Sequence, residues 1–120
     1  MNSWKDLNVW KESHQLVLKV YELLGRFPDS EKYALSDQIK RASYSIPSNI
    51  VEGHSKSSSK EFIRYLYISR GSLEELRYFL LLSKDLNYIK EETYLYFENK
   101  TSSISKQLNA LIKSLKINNE

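Results

Sequence analysis

Apolar residues recur along most of the chain at intervals of three and four, the repeat that places side chains on one face of an α-helix. Four segments show this repeat, and short polar joins separate them. The pattern predicts helices at residues 5–27, 31–52, 58–86 and 91–116. Because amphipathic helices joined by short loops bury their apolar faces side by side, we expect an all-α, antiparallel, up-and-down four-helix bundle. Residues 1–120 would form this single domain.

The first two predicted helices are followed by residues that usually stop a helix. Gly25 and Pro28 close the first apolar stripe, and Gly53 follows the second, where a left-handed helix end would suit it. Pro47 lies inside the second stripe, which continues in phase to Ile50. An interior proline removes a backbone hydrogen bond and bends a helix. Two short helices or one kinked helix would fit, and we favour one helix kinked at Pro47.

The third predicted helix begins at a capping box and has the most regular apolar repeat. Ser58 and Glu61 have the spacing at which each side chain binds the other's backbone N–H group. The core-facing positions that follow are Phe62, Leu66, Ser69, Leu73, Leu76, Leu80 and Ser83. In the fourth predicted helix, the corresponding positions are Phe97, Thr101, Ile104, Leu108, Leu111 and Leu115.

The side of the third helix that faces away from its core repeat is apolar as well. Tyr67, Tyr78 and Leu82 point away from the core on a helical wheel. A helix that is apolar nearly all round is normally buried, and two neighbours in a bundle leave part of it uncovered. We therefore expect a second copy of the chain to cover these three residues. The alternative is that the tyrosines lie flat on the bundle surface in solvent.

The polar residues show no recognisable catalytic or metal-binding pattern. The chain has no cysteine, and its two histidines, His14 and His54, have no second ligand at the spacing of a helical metal site. Adjacent carboxylates such as Glu74 and Glu75 point about 100° apart on a helix and do not converge. Glycine-rich phosphate loops and nucleophile elbows are absent. We expect no enzyme activity, no cofactor and no metal.

Composition indicates a folded chain with a small positive charge. Of its 120 residues, 41% are hydrophobic and 28% are charged, which is enough for one core. The net charge of +3 permits binding to nucleic acid without requiring it. The N-terminus lacks the apolar core of a signal peptide, and the longest apolar run, residues 78–82, is too short to span a membrane. We expect a cytoplasmic protein with no membrane partner.

One segment supplies most of the positive charge. Residues 54–84 contain six cations and three carboxylates. The six cations are Lys56, Lys60, Arg64, Arg70, Arg77 and Lys84. Arg70, Arg77 and Lys84 recur every seven residues along one helix edge. Tyr65 and Tyr67 lie nearby and offer rings on which bases could stack. This row predicts a surface for RNA or DNA. The alternative is that it pairs with glutamates across a subunit interface or keeps a helix edge solvated.

Three stretches of the chain resemble one bacterial family. They are LSDQIKRASY at residues 35–44, SIPSNIVEG at 45–53 and SSSKEFIRYLYISRGSLEEL at 57–76. From about Trp4 to Leu115, the chain is similar to the bacterial four helix bundle protein family, which includes proteins encoded by intervening sequences in 23S ribosomal RNA genes. The residues that match the family's pattern are Pro47, Asn49, Glu52, Gly53, Glu61, Phe62, Gly71 and Ser72.

The resemblance implies a left-handed antiparallel bundle that assembles as a homopentameric ring. A related accessory protein of diversity-generating retroelements binds nucleic acid and a reverse transcriptase. We expect structural roles for the matched residues, with Gly71 where another backbone approaches closely and Asn49 and Glu52 near backbone groups freed by Pro47. Two hypotheses follow. The protein is a homo-oligomer that binds nucleic acid through a basic surface, or it is a protein-interaction scaffold that does not.

Overall fold

The computed structural model describes residues 3–118, and its regular structure within that range is entirely helical. The α-helices are α1 (Asn8–Leu24), α2 (Leu35–His54), α3 (Ser59–Asp85) and α4 (Glu91–Asn118). Two short 3₁₀ turns, Trp4–Asp6 and Asp29–Glu31, precede α1 and α2. No residue from 3 to 118 lies in a strand. The prediction of an all-α protein with four main helices is confirmed.

The first two helices begin later than the sequence pattern predicts. Trp4–Asp6 forms a 3₁₀ turn and Leu7 is extended, so α1 begins at Asn8. Ala34 has φ −124° and ψ −103°, which breaks the helical path and delays α2 to Leu35. The spacing of apolar residues does not show where these helices begin. A 3₁₀ turn has three residues per turn, so its apolar residues are spaced almost as in an α-helix.

One apolar core runs between the four helices. Its largest fully buried apolar side chains are Ile39, Ile46, Ile50, Leu66, Leu73, Leu76, Leu80, Ile104, Leu108 and Val20. All seven core positions predicted for α3 are buried. Near the end of α4, Ile112 is buried while Leu111 and Leu115 are only half-buried, so the core stripe there runs one residue away from the predicted one.

Contacts between neighbouring helices pair residues in opposite chain directions. Asn8 of α1 donates a 3.0 Å hydrogen bond to Gln107 of α4. Glu12, one turn later on α1, accepts a 3.2 Å bond from Ser103, one turn earlier on α4. The contacts between α3 and α4 follow the same order. Neighbouring helices with such contacts are antiparallel, and the contact between α1 and α4 closes the bundle.

Side chains bind the backbone carbonyl groups of α2 near Pro47, which lies inside one continuous helix. The amide of Asn49 donates a 2.8 Å hydrogen bond to the Ser45 carbonyl oxygen. The buried hydroxyl of Ser69 on α3 donates to the Ile46 carbonyl oxygen at 2.9 Å. The first bond lies within α2, and the second attaches the turn that contains Pro47 to α3. The kink at Pro47 and the handedness of the bundle stay predictions.

Gly53 lies where α2 and α3 approach each other closely. A Cβ atom at this position would be 2.6 Å from Cβ of Tyr65 and 3.0 Å from a ring carbon of Phe62. Gly53 does not have a positive φ, and α2 continues past it to His54. The predicted left-handed helix end at Gly53 is therefore wrong, and the glycine is needed because the two helices leave no room for a side chain.

Candidate nucleic-acid interface

The cations predicted at the C-terminal end of α3 are bound by carboxylates of the same chain. The Arg77 guanidinium lies 3.0 Å from Glu74 on its own helix and also pairs with Glu98 on α4. The Lys84 ammonium lies 3.7 Å from Glu91 on α4. Because these pairs join α3 to α4 and balance both charges, Arg77 and Lys84 contribute little positive potential to the surface.

The pair formed by Arg77 and Glu98 favours the charged state of both groups. The hydrogen bond from Arg77 lowers the pKa of Glu98 from its ordinary value, although partial burial opposes the change. The same hydrogen bond raises the pKa of Arg77. A pair of this kind, less than one-third exposed, serves to hold two helices together rather than to await a ligand.

Lys56 and Arg64 also have carboxylate neighbours, but these pairs are exposed. Arg64 lies 3.2 Å from Glu61, and Lys56 lies 3.9 Å from Glu52. The Arg64 guanidinium and the Lys56 ammonium also lie over the ring of Tyr65, at 4.6 Å and 5.4 Å from its centroid respectively. Exposed pairs of this kind contribute little energy and are screened by salt. A phosphate group can therefore compete with either carboxylate.

Arg70 contacts neutral groups instead of carboxylates. It donates a 2.9 Å hydrogen bond to Asn109 of α4, and its guanidinium lies 4.6 Å from the centroid of Tyr67. The Tyr67 hydroxyl accepts a 2.7 Å hydrogen bond from Lys116 of α4. That bond lowers the pKa of Tyr67, and the charges of Lys116 and Arg70 add to the effect. Within residues 3–118, neither Arg70 nor Lys60 forms an ion pair.

The lysines of α4 beside Arg70 were missed by the sequence analysis. Lys106, Asn109, Lys113 and Lys116 follow one another at intervals of three and four and so share one side of α4. Asn109 and Lys116 contact α3, which places this side next to Arg70. The spacing was readable in the sequence, whereas the adjacency to α3 was not. We name the surface formed by Lys60, Arg64, Arg70, Lys106, Lys113 and Lys116 the cationic face.

The other half of the α3–α4 surface exposes several large apolar side chains beside its ion pairs. Tyr78 is 58% exposed, Leu81 and Leu95 are also exposed, and Leu82 is half-buried. The ion pairs between α3 and α4 set a register that puts Leu81 and Leu95 at about the same level along the two helices. We name the surface formed by Tyr78, Leu81, Leu82 and Leu95 the apolar face. Tyr67, expected in the same interface as Tyr78, lies about 16 Å from it along α3, next to Arg70 and Lys116. The interface role of Tyr67, Tyr78 and Leu82 stays a prediction.

Gly71 lies on the exposed side of α3, between the cationic face and the apolar face. A Cβ atom there would meet nothing within 4 Å, so no neighbour within residues 3–118 requires glycine. The next residue, Ser72, has a clear role, because its hydroxyl forms a 2.8 Å hydrogen bond with that of Ser45 on α2. The close approach expected at Gly71 is thus not made by the described part of this chain.

Both histidines pack against aromatic rings. His14 is stacked on Trp10 with the ring centroids 5.1 Å apart, and His54 meets the ring of Phe62 at 5.7 Å. Among residues 3–118, no three histidine, aspartate or glutamate side chains form a group that could hold a metal ion. None of the four α-helices, as described, has an apolar stretch long enough to cross a membrane.

Comparison with known proteins finds both a family and a solved structure. A family model described as 23S rRNA-intervening sequence protein matches residues 5–110. A crystal structure from Bacteroides thetaiotaomicron, described as a protein with unknown function from the S23 ribosomal protein family, is 30% identical. That match has a TM-score of 0.82 and covers 88% of this chain and 98% of the other. No curated protein matches.

Proposed function

Since the chain belongs to the 23S rRNA-intervening sequence protein family, as its sequence motifs predict, we propose that it is a non-enzymatic homo-oligomer that binds RNA or DNA through its cationic face. The function of its structural neighbour is described as unknown, so the proposal depends on this chain's own residues. The observation that supports it best is the group of cations around Tyr67 that have no carboxylate partner within residues 3–118.

The cationic face has the chemistry that a phosphate backbone requires. Arg70 is oriented by Asn109 and by the ring of Tyr67, so its remaining N–H groups are positioned before a ligand arrives. Lys113 and Lys116 add positive charges about one helical turn apart. Each contact between such a cation and a phosphate releases bound counterions, so binding should be strong at low salt and should weaken steeply as salt is added.

Self-association would use the other half of the α3–α4 surface. The apolar face exposes large side chains, and Gly71 beside it leaves space for a second backbone. Because the two faces lie at different positions along α3, copies of the chain can assemble while the cationic face stays accessible. A closed ring of five copies, the assembly that the family resemblance implies, would repeat this face and increase its avidity for a long nucleic acid.

A matched pair of charge variants tests the proposed nucleic-acid interface. In the first variant, Lys106, Lys113 and Lys116 are changed to Gln. In the control, the exposed residues Lys32, Lys90 and Lys100, which lie outside the cationic face, are changed in the same way, so both variants have the same net charge. Binding of labelled RNA and DNA is measured by filter binding over a series of salt concentrations.

We expect only the first variant to lose about tenfold or more in affinity at low salt. The slope of log K against log salt should also fall by about 2 to 3, because each lost phosphate contact removes a little less than one. Equal losses in the two variants would show that the net charge matters and the position does not. Failure of the unmodified protein to bind any RNA or DNA at low salt would reject the nucleic-acid function.

The rival hypothesis is a protein-interaction scaffold. The ion pairs of Arg77 and Lys84 lie within one protomer and leave these two cations less available for a phosphate. These two cations already serve the packing of α3 against α4. Arg70→Ala separates the two hypotheses. If Arg70 serves subunit contacts, the variant should fail to assemble. If it serves nucleic-acid binding, the variant should assemble normally and bind weakly. Arg77→Ala is less informative, because it breaks the pair with Glu98 within the chain.

A further inference from the structure

We infer that the ligand of the cationic face is a single-stranded nucleic acid, with an unpaired base stacked on the ring of Tyr67. The inference rests on the proposed function and adds the class of nucleic acid and the residue that selects it. It depends on the position of an aromatic ring among cations that have no carboxylate partner within residues 3–118.

Tyr67 lies between the two helices that form the cationic face. Tyr67 is 37% exposed, with the Arg70 guanidinium over its ring at 4.6 Å and the Lys116 ammonium at 5.3 Å from the ring centroid. Lys116 also holds the hydroxyl group through a 2.7 Å hydrogen bond. Tyr67 is therefore held in place by two cations, and more than one-third of the residue is still exposed.

This arrangement matches the two parts of an unpaired nucleotide. The base of a single strand exposes its flat surface, which can stack on a tyrosine ring or on a guanidinium plane such as that of Arg70. The phosphate of the same nucleotide is then close to Lys116. In a duplex, neighbouring base pairs cover the flat surfaces of the bases, so a duplex can use the cations of this face but not the ring of Tyr67.

A second ring with two cations lies in the same half of the bundle. Tyr65 is contacted by Arg64 and Lys56 at 4.6 Å and 5.4 Å from its centroid. Because two residues of a helix span about 200° of rotation, Tyr65 and Tyr67 lie on different sides of α3. A flexible single strand that crosses α3 can meet both rings, whereas a straight duplex cannot follow such a path.

Three tyrosine variants test the inference. Tyr67→Ala removes the ring, Tyr67→Phe keeps the ring without the hydroxyl group, and Tyr33→Ala is the control. Tyr33 is 88% exposed and lies beneath Lys32 at 5.5 Å, but it belongs to the loop between α1 and α2, far from the cationic face. Fluorescence anisotropy compares the binding of an unstructured oligonucleotide with that of the duplex formed by the same oligonucleotide and its complement. Circular dichroism checks that each variant is helical.

We expect the unmodified protein to bind the single strand more tightly than the duplex. Tyr67→Ala should lose about tenfold in affinity for the single strand and little for the duplex, since one stacked base is removed. Tyr67→Phe and Tyr33→Ala should bind like the unmodified protein. These outcomes require that stacking, rather than charge alone, selects the ligand.

Several results would overturn the inference. One is an equal loss of affinity for the single strand and the duplex in Tyr67→Ala. Another is a loss of affinity in Tyr67→Phe as large as in Tyr67→Ala, because it would assign the effect to the hydrogen bond between the Tyr67 hydroxyl and Lys116. Tighter binding of the duplex than of the single strand by the unmodified protein would also overturn it. So would polyglutamate that displaces the labelled single strand as well as an unlabelled single strand of the same charge does. If duplex and single strand bind equally and binding depends on the lysines of α4, the proposed function stands and this inference fails.

Discussion

Gly53 and Gly71 lie within helices for opposite reasons. At Gly53 a Cβ atom would come within 2.6 Å of Tyr65, whereas at Gly71 it would meet nothing within 4 Å. Glycine in a helix interior costs about 1 kcal/mol relative to alanine. Gly53 offsets that cost by letting α2 and α3 pack closely. At Gly71, no close contact within residues 3–118 offsets the cost of glycine. A second molecule that packs closely against α3 would offset it.

Alanine substitutions at these two glycines should shift stability in opposite directions. We expect Gly71→Ala to raise the free energy of unfolding of the protomer by about 0.5 to 1 kcal/mol, and Gly53→Ala to lower it by about 1 to 3 kcal/mol through overpacking. Urea denaturation measures both. Gly71→Ala should also weaken self-association in sedimentation velocity. If it assembles as tightly as the unmodified protein, Gly71 is not a site of close approach.

The cations of α3 show how far sequence reasoning reaches at single residues. The seven-residue spacing of Arg70, Arg77 and Lys84 predicts one helix edge, and all three contact α4 or residues on it. Their different roles depend on what α4 places opposite each one. Arg77 and Lys84 contact carboxylates, while Arg70 contacts the side-chain amide of Asn109. The sequence of α3 alone does not show this difference.

At the scale of elements, charged pairs join α3 and α4 at the end of the bundle that contains the loop between them. Glu98 accepts from Arg77 across the two helices, and Lys84 lies 3.7 Å from Glu91. At the opposite end, the contacts between the same helices are made by Arg70, Tyr67 and Lys116. The two helices are thus joined by ion pairs at one end and, at the other, by hydrogen bonds that Arg70 and Lys116 donate to neutral groups.

Glu98→Gln should destabilise the fold in a pH-dependent manner. The pKa of Glu98 in the folded protein is lowered from 4.5, so its carboxylate stabilises the fold above that pH. The contribution is lost as the pH falls through the lowered pKa. We expect Glu98→Gln to reduce the free energy of unfolding by about 1 kcal/mol at neutral pH. The difference from the unmodified protein should shrink in acid.

Glu75→Gln supplies the control, because Glu75 is exposed in the middle of α3 and has no ion pair among residues 3–118. Thermal or urea unfolding at several pH values measures both variants. If the two variants lose equal stability at neutral pH, the pair between Arg77 and Glu98 does not contribute as described.

At the scale of the whole molecule, the α3–α4 surface has two halves of different character. The cationic face combines the N-terminal half of α3 with the C-terminal half of α4, and the apolar face lies towards the loop that joins them. Exposed carboxylates, among them Glu74, Glu75 and Asp85, lie near the apolar face. This separation allows one surface to serve assembly and the other to serve a polyanionic ligand.

Tyr78→Glu should prevent assembly without unfolding the protomer. Tyr78 is 58% exposed, so a charge there is tolerated by a single copy but is unfavourable in an apolar interface. Tyr33→Glu adds the same charge at a site 88% exposed on another part of the surface and should assemble normally. Sedimentation velocity measures both. A stably folded, unmodified protein that sediments as a single protomer at micromolar concentration would contradict self-association.

The amino-acid sequence by itself determined the four main helices, the seven buried positions of α3 and the family, because periodicity and contiguous motifs are local properties of the chain. It placed the starts of α1 and α2 too early and misread Gly53 as a helix end. Only the tertiary structure decided which cations face carboxylates and which join Lys116 around Tyr67. Those contacts depend on the register between α3 and α4. The apolar repeat of one helix does not specify this register, because it does not determine which side chains of the neighbouring helix lie opposite.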